Sequence, residues 1–385
     1  MAFVLSEEQL MIQTLARDFA REVLLPTAAQ RDRSREFPRD NLRQMSELGF
    51  MGMMVPSEYG GVGVDTVSYA LALSEIAYGC ASTAVVMSVH NSICCEALVR
   101  FGSDGQKASW LPRMTAGECI GAFALTEPSA GSDPSAQRSK AELRGDEWVL
   151  NGSKQFITTG RNAGMIIVTA VTDSGKGHRG ISAFLVPQGA PGLIIGKEED
   201  KLGLRASDTV QLIFEDCRIP AGNLLGKEGM GFKIAMSCLD GGRIGIAAQS
   251  VGVATACLDE ALEFTQSREQ FGRPVSDFQG LRWKMADMAT EIEAARLLCL
   301  NAASLKDLGQ RYSMQASMAK LFASEMVQRV AGQAIQMHGG YGFCTEYNVE
   351  RHYRDCRVFT LYEGTSEIQR IVISNNLLGP PTVPK

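Results

Sequence analysis

The feature that most constrains this chain is a double change in the period of its hydrophobic residues. From Ser6 to about 115, apolar residues recur at helical spacing; after Cys119 they gather into short β-branched runs bounded by Gly and Pro; from Phe232 the helical spacing returns in longer pieces. No helical pattern alternates with the central runs, which disfavours a doubly wound dinucleotide-binding domain and predicts a small sheet sandwich or barrel. At 385 residues the chain is too long for one ordinary core. The expected class is α+β in three parts: an N-terminal all-α domain over 1–118, a middle antiparallel β domain over 119–228 and a C-terminal four-helix bundle over 229–385.

Within that frame Ser6-Glu7-Glu8-Gln9 reads as a capping box, with Leu5 and Leu10 as a hydrophobic staple. Ile12, Leu15, Phe19 and Val23 then carry a helix to Pro26. Further helices are predicted over 38–48, 65–79, 81–101 and 104–115, broken by Pro56 and the Gly60-Gly61 turn. The segment 81–101 is apolar on most faces and predicts a central, buried helix. Gly61-Val62-Gly63 lacks the third glycine and the βαβ frame of a dinucleotide fingerprint, and reads as a loop. In the middle third, Asn151-Gly152 between two β-prone runs predicts a hairpin turn, followed by strands over 165–171, 181–186 and 210–214. Helices over 231–267, 278–307, 313–338 and 365–378, joined by short loops, predict the antiparallel bundle. The clefts where α meets β are where a cofactor would sit.

Composition narrows the function classes. A net charge of −5 leaves no basic footprint, so no nucleic-acid partner is expected. No apolar run is read as reaching the ~20 residues a membrane span needs. The ten cysteines contain no C-x-x-C pair and read as buried thiols, and the four histidines show no metal-binding spacing, so no metal is expected. Met1-Ala2-Phe3-Val4-Leu5 leads into an acidic helix start without a signal or Arg-rich transit pattern. The expected location is the bacterial cytoplasm or, where a presequence has been removed, the mitochondrial matrix.

Three stretches are candidates for chemistry. Val358, Phe359, Leu361 and Tyr362 deliver one carboxylate, Glu363, into Gly364-Thr365-Ser366, where Gly364 frees the turn and Thr365 or Ser366 can cap a helix that Gly379-Pro380-Pro381 ends. Burial would raise the pKa of Glu363 towards that of a general base and the helix dipole would lower it; read locally, the residue is either such a base or a helix-start ornament. Phe123 through Asp133 is dense in hydroxyls and turn formers, suited to a polar ligand or to an ordinary surface loop. Gln336-Met337-His338-Gly339-Gly340 ends a helix with one glycine more than a C-cap needs. Arg268, at a helix end, suits a phosphate or a solvated terminus equally.

Taken in order, Leu125-Thr126-Glu127-Pro128 with Gly131-Ser132-Asp133, then Gln336-x-x-Gly339-Gly340, then Arg351-His352-Tyr353-Arg354-Asp355 and Tyr362-Glu363-Gly364-Thr365, resemble the flavin-dependent acyl-CoA dehydrogenases along nearly the whole chain. The resemblance implies FAD-dependent α,β-desaturation of an acyl-CoA to the trans-2-enoyl-CoA, with Glu363 as the base and the thioester carbonyl polarised by the base's own N–H and a flavin ribityl hydroxyl. Some relatives carry their base on the helix of Leu239-Asp240-Gly241-Gly242-Arg243, just before the arginine; here that position is Gly242. Residue by residue, the resemblance implies that Phe123, Leu125, Thr126, Gly131 and Ser132 line the flavin, with Phe156, Ile157 and Thr158 on its ring system. The family usually has Trp where this chain has Phe156. Thr365 and Glu367 are implied as further FAD contacts, and Arg268, Gln279, Gln336, Gly339 and Gly340 as holding the FAD of a neighbouring subunit. Ser132, Asp240, Arg243 and Gly364 match contacts to the CoA ester. Shared cofactor sites imply a homotetramer built as a dimer of dimers, with an electron-transferring flavoprotein as electron acceptor. Glu350 through Asp355 and Glu363 through Arg370 resemble short-chain members, which work in fatty acid β-oxidation. Lys201 through Ser207 and Phe278-Gln279-Gly280-Leu281 equally resemble short branched-chain members of the 2-methyl or isobutyryl type, in branched-chain amino acid catabolism. An acyl-CoA oxidase and a non-catalytic helical scaffold are the rival classes.

Overall fold

A computed structural model of the chain describes residues 4–380. Met1, Ala2, Phe3 and Pro381, which the sequence reading also used, lie outside that range. The capping box forms: Gln9 N donates to Ser6 Oγ at 3.2 Å and Ser6 N to the Gln9 side chain at 3.0 Å, opening α1 (Glu7–Phe19). Pro26 does not end this helical run. The chain passes through a wide π turn, Ala20–Leu24, into α2 (Leu25–Ser34), where Pro26 falls in the first turn and its missing N–H is least needed. After α3 (Arg39–Glu47), Asp65 caps α4 (Thr66–Gly79) by accepting from Ser68 N at 2.7 Å.

The predicted 81–101 helix is a rod of α5 (Ala81–Ser88), a π segment (Val89–Cys95) and α6 (Glu96–Phe101), followed by α7 (Asp104–Thr115). By length and composition this rod could cross a membrane, contrary to the expectation that no run was long enough; 89% of its most apolar window is buried within the protein.

The middle of the chain forms β1 (Gly121–Ala124), β2 (Lys140–Arg144), β3 (Glu147–Thr158), β4 (Met165–Val171), β5 (Ile181–Pro187), β6 (Leu193–Glu198), β7 (Thr209–Pro220) and β8 (Leu224–Leu225). Their order in the sheet is β6-β7-β3-β2-β4-β5-β8, with β1 beside β4. Pairing is antiparallel except where β1 and the end of β2 meet β4. The Asn151-Gly152 hairpin is not formed: β3 runs straight through it, and the tight turn is Gly145-Asp146, between β2 and β3. Asn-Gly instead makes a bulge, where the β3–β7 register slips between Leu150 and Gly152 and Gly152 takes φ +145°. Asn151 exchanges two hydrogen bonds with Asp216 across this bulge, at 2.9 and 3.0 Å.

Strands β4 and β5 are apolar at nearly every position because both of their faces are covered. Met165 and Ile167 join the helical core while Ile166 and Val168 join the core inside the sheet domain. The chain continues through α8 (Gly231–Ser267), a small ribbon of β9 (Glu269–Gln270) and β10 (Arg273–Pro274), α9 (Gln279–Asp307), α10 (Ser313–His338), α11 (Val349–Cys356), which was not predicted, and α12 (Ser366–Leu378). Nine of the ten cysteines are buried free thiols; Cys344 is exposed.

The longest helix, α8, lies against α4 because Gly252 lets the two backbones meet: a Cβ there would overlap the Ser74 carbonyl. Gly252→Ala is therefore expected to destabilise the protein by about 1–3 kcal/mol, read as a lower urea midpoint; an unchanged midpoint would show that α4 yields without cost.

Candidate active site

Glu363 sits in the tightest turn of the C-terminal segment. Phe359 is fully buried, and its ring stacks on Tyr362 at 5.8 Å, fixing the approach to the turn. Glu363 and Gly364 then take φ +51° and +94° in succession, and the chain reverses into α12 with Thr365, rather than Ser366, as its N-cap. A glutamate in the left-handed region is strained. The turn is held by side chains: Lys320 Nζ and Gln369 Nε2 each donate to the Gly364 carbonyl at 2.8 Å, and Gln369 also reaches the Glu363 carbonyl at 3.3 Å. The Glu363 N–H has no acceptor among the described residues.

The residue as a whole is partly open, but both carboxylate oxygens are buried and neither has a hydrogen-bond partner among the described residues. Desolvation pushes the carboxyl up to about 7, partly offset by the charges of Lys320 and Arg243. Its room comes from α8: a Cβ on Gly242 would overlap Glu363 Oε2, so a side chain at 242 and the carboxylate of 363 cannot share this space. Next to that gap Arg243 is buried, donating to Asp240 Oδ1 at 2.6 Å and to Ser317 Oγ at 3.3 Å while its Nε stays unpaired. Ser313 also donates to Asp240. One turn further along α8, Gly245 faces Tyr69 and Ser88, and Gln249 links the Tyr362 hydroxyl (2.8 Å) to the Ala81 carbonyl (2.9 Å).

A second group of predicted residues gathers on the middle domain. Gln155 N donates to the Thr126 carbonyl at 2.8 Å, which joins the loop after β1 to the end of β3. Leu125 is buried, Phe123 and Thr126 are half-buried, and Gly131 and Ser132 are exposed. A second register slip in β3, between Lys154 and Ile157, throws Phe156 outward at φ +60° and 62% exposure. Ile157 points the other way: its side chain belongs to the sheet core, so any contact it makes with a cofactor is through its backbone. Thr158 is half-buried at the strand end.

Beneath this loop lies an ion pair that the sequence reading did not find. Lys154, with no exposed surface, donates to Glu127 (2.8 Å), the Leu125 carbonyl (3.0 Å) and Gln137 (3.1 Å). Glu127 also accepts from Arg138 N at 2.6 Å and Ser139 N at 3.0 Å. Burial alone would raise the Glu127 carboxyl; the Lys154 charge and these hydrogen bonds outweigh it and hold it below the usual value. The one signal in the sequence was Glu127 itself, a carboxylate inside a turn-rich loop. Lys320 was missed too, although a lone lysine among Met318, Ala319, Leu321 and Phe322 on a buried helix was visible.

The remaining predicted residues do not join these two groups. Arg268, Gln279, Gln336, Gly339 and Gly340 are all exposed, and Arg268 lies over the Tyr341 ring at 5.6 Å. They occupy the far end of the bundle: from Lys320 to His338, α10 alone runs roughly 27 Å. Thr365 and Glu367 stay beside Glu363 at the head of α12.

Comparison with known proteins matches three successive stretches of the chain. Residues 6–118, 122–217 and 229–378 match, in turn, the N-terminal, middle and C-terminal domains of acyl-CoA dehydrogenase. The chain is 51% identical over 374 residues to the mitochondrial short-chain specific acyl-CoA dehydrogenase of Rattus norvegicus, covering 97% of this chain and 91% of that protein. Butyryl-CoA dehydrogenase from Megasphaera elsdenii superposes with a TM-score of 0.96 at 43% identity, covering 98% of this chain and 100% of that one. A chain solved in work on the electron transferring flavoprotein of Acidaminococcus fermentans superposes with a TM-score of 0.97 at 48% identity, over 98% of this chain and 100% of its own.

Two outcomes follow from the buried charges. Lys154→Met leaves Glu127 buried without its counter-ion and is expected to cost about 3–5 kcal/mol of stability, measured by chemical denaturation at pH 7. Glu363 has a folded pKa above its unfolded one, so its neutral form favours folding and that contribution is lost as pH rises from about 4.5 to about 7. Glu363→Gln should thus match wild type near pH 4.5 and exceed it by on the order of 2–3 kcal/mol at pH 8; a difference that does not vary with pH would mean that the carboxylate is solvated.

Proposed function

This chain belongs to the acyl-CoA dehydrogenase family, and we propose that Glu363 is the base with which it desaturates short-chain acyl-CoA thioesters to trans-2-enoyl-CoA. The enzyme is an FAD-dependent oxidoreductase acting on short-chain acyl-CoA. The observation that carries the assignment of the base is the Glu363 carboxylate, buried, without a hydrogen bond, and raised to about 7 beside a gap in α8.

The residues present fit the cofactor. Phe156 offers an outward aromatic face next to the hydroxyl-rich loop of Thr126 and Ser132, and at Gly131, Gly339 and Gly340 even an added Cβ would meet nothing in this chain. When bound, FAD supplies the acceptor for the hydride leaving the β-carbon and a ribityl hydroxyl for the thioester carbonyl. The α-proton goes to a Glu363 oxygen. An α-C–H next to a thioester is a poor acid, so the carbonyl must be polarised as the proton leaves; the unpaired Glu363 N–H is the donor this chain offers for that oxyanion. Substrate that displaces water from the cleft raises the carboxylate further, making it a stronger base in the closed site. Ser132, Asp240, Arg243 and Gly364 meet the CoA ester. Phe123, Leu125, Thr126, Gly131, Ser132, Phe156, Thr158, Thr365 and Glu367, with the Ile157 backbone, hold the FAD.

Arg268, Gln279, Gln336, Gly339 and Gly340 hold a neighbour's FAD. Their separation from the Glu363 site along α10 supports this reading, since one flavin in one chain cannot easily meet both groups, and a homotetramer is the assembly it implies. Electrons pass to an electron-transferring flavoprotein, and the enzyme works in the bacterial cytoplasm or the mitochondrial matrix.

Glu363→Gln should keep its FAD absorbance and lose turnover by several orders of magnitude, because the other carboxylate at the site, Asp240, is held by Arg243 and Ser313; near-normal desaturation would reject the base. With the base titrating near 7, kcat/KM should fall tenfold per pH unit below that value and level off above it. Anaerobic bleaching of the flavin across straight and branched acyl-CoAs should be fastest with C4 and roughly tenfold or more slower by C8, on the reading that Tyr362, its hydrogen-bond partner Gln249 and Tyr69 bound the acyl pocket.

A further inference from the structure

Lys320 has an unusual position for a lysine. It lies in the middle of α10 with no exposed surface, and its ammonium, which has three protons to donate, makes one hydrogen bond among the described residues, to the carbonyl of Gly364 at 2.8 Å. That carbonyl belongs to the residue directly after Glu363, in the strained left-handed turn. Lys320 and Glu363 are not in contact: no N–O approach within 4.0 Å joins them, and both Glu363 oxygens stay unpaired. A contact ion pair would neutralise the carboxylate as a base; a cation one step removed leaves it reactive while favouring its ionised form.

Resting on the reading of Glu363 as the base, we propose that Lys320 is a positioning residue with two tasks: it ties down the turn that aims Glu363, and its charge keeps the carboxylate ionisable near neutral pH inside a dry cleft. The charges around the pair are few. From α8 they are Arg243 with its partner Asp240; from α4, the Tyr69 hydroxyl; from α10 and α12, Glu325 and Glu367. Both cations act on the base, Lys320 the more strongly; Arg243 is engaged by Asp240, whereas no carboxylate pairs with Lys320 among the described residues. Burial pulls Lys320 down to about 8, still above the range in which Glu363 titrates, so the lysine is charged when the base must lose its proton.

Gln369 provides the control. It donates to the same carbonyl at the same 2.8 Å but carries no charge, so Gln369→Leu loosens the turn without changing the electrostatics. The measurement is the pH profile of kcat/KM for butyryl-CoA with the flavin-loaded enzyme. Lys320→Gln should move the acid limb up by about one pH unit, so that activity at pH 6.5 falls several-fold more than at pH 8.5. Lys320→Arg should leave the limb near its wild-type position, and Gln369→Leu should lower kcat without moving it. A limb that stays in place in Lys320→Gln would overturn the electrostatic task, whereas a wild-type profile with no acid limb, or an active Glu363→Gln enzyme, would instead overturn Glu363 as the base. Should Lys320→Gln fail to accumulate, adding Glu363→Gln should restore its yield by removing the charge that Lys320 offsets; no restoration would overturn the proposal.

Discussion

The site depends on a carboxylate withdrawn from water and given no hydrogen bond. Such a group is unstable in its ionised form, and the rest of the cleft is arranged around that instability. Arg243 and Lys320 place positive charge near Glu363 without touching it, and Tyr69 and Ser88 pack against α8 at Gly245, one turn from Gly242. Each feature alone would weaken the site: water would return the pKa to its ordinary value, and a direct ion pair would make the carboxylate a poor proton acceptor. The balance between burial and distant charge brings the carboxyl to about 7, as the proposed base requires.

Close approach of helices makes that balance possible. Gly242 gives the carboxylate its room, Gly245 admits Tyr69 and Ser88, and Gly252 brings α4 onto α8. The five glycines of this long helix lower its intrinsic stability, which is recovered by packing, since α8 is buried along much of its length. The middle domain solves a similar problem with charge rather than space. Its loop after β1 carries many polar groups, and the buried Lys154–Glu127 pair fixes that loop to the sheet from beneath.

Much of this could be read from the sequence, for identifiable reasons. The main helices of the bundle and their limits followed from periodicity, and the capping box at Ser6 from four residues in a row, because both signals are local. The expected hairpin at Asn151-Gly152 failed because a register slip against β7 used the same glycine for a bulge. Pro26 failed to stop its helix because a π turn moved it into a first turn. Ile157 was placed on the flavin with Phe156 and Thr158, yet strand alternation sends its side chain into the sheet core. These outcomes were set by partners distant in sequence.

For the site, the sequence by itself placed a single carboxylate, Glu363, between an aromatic segment and a helix start; that Gly242 stands where some relatives carry their base is what the resemblance to the family added. It could not decide whether that carboxylate is a base or a helix ornament, since the same residues suit a solvated turn. The tertiary structure supports the proposed base by bringing α8 and α10 around the turn, so that desolvation acts on the carboxylate while the cations remain a step away. Burial and charge at a distance belong to the assembled fold, and no local stretch of residues encodes them.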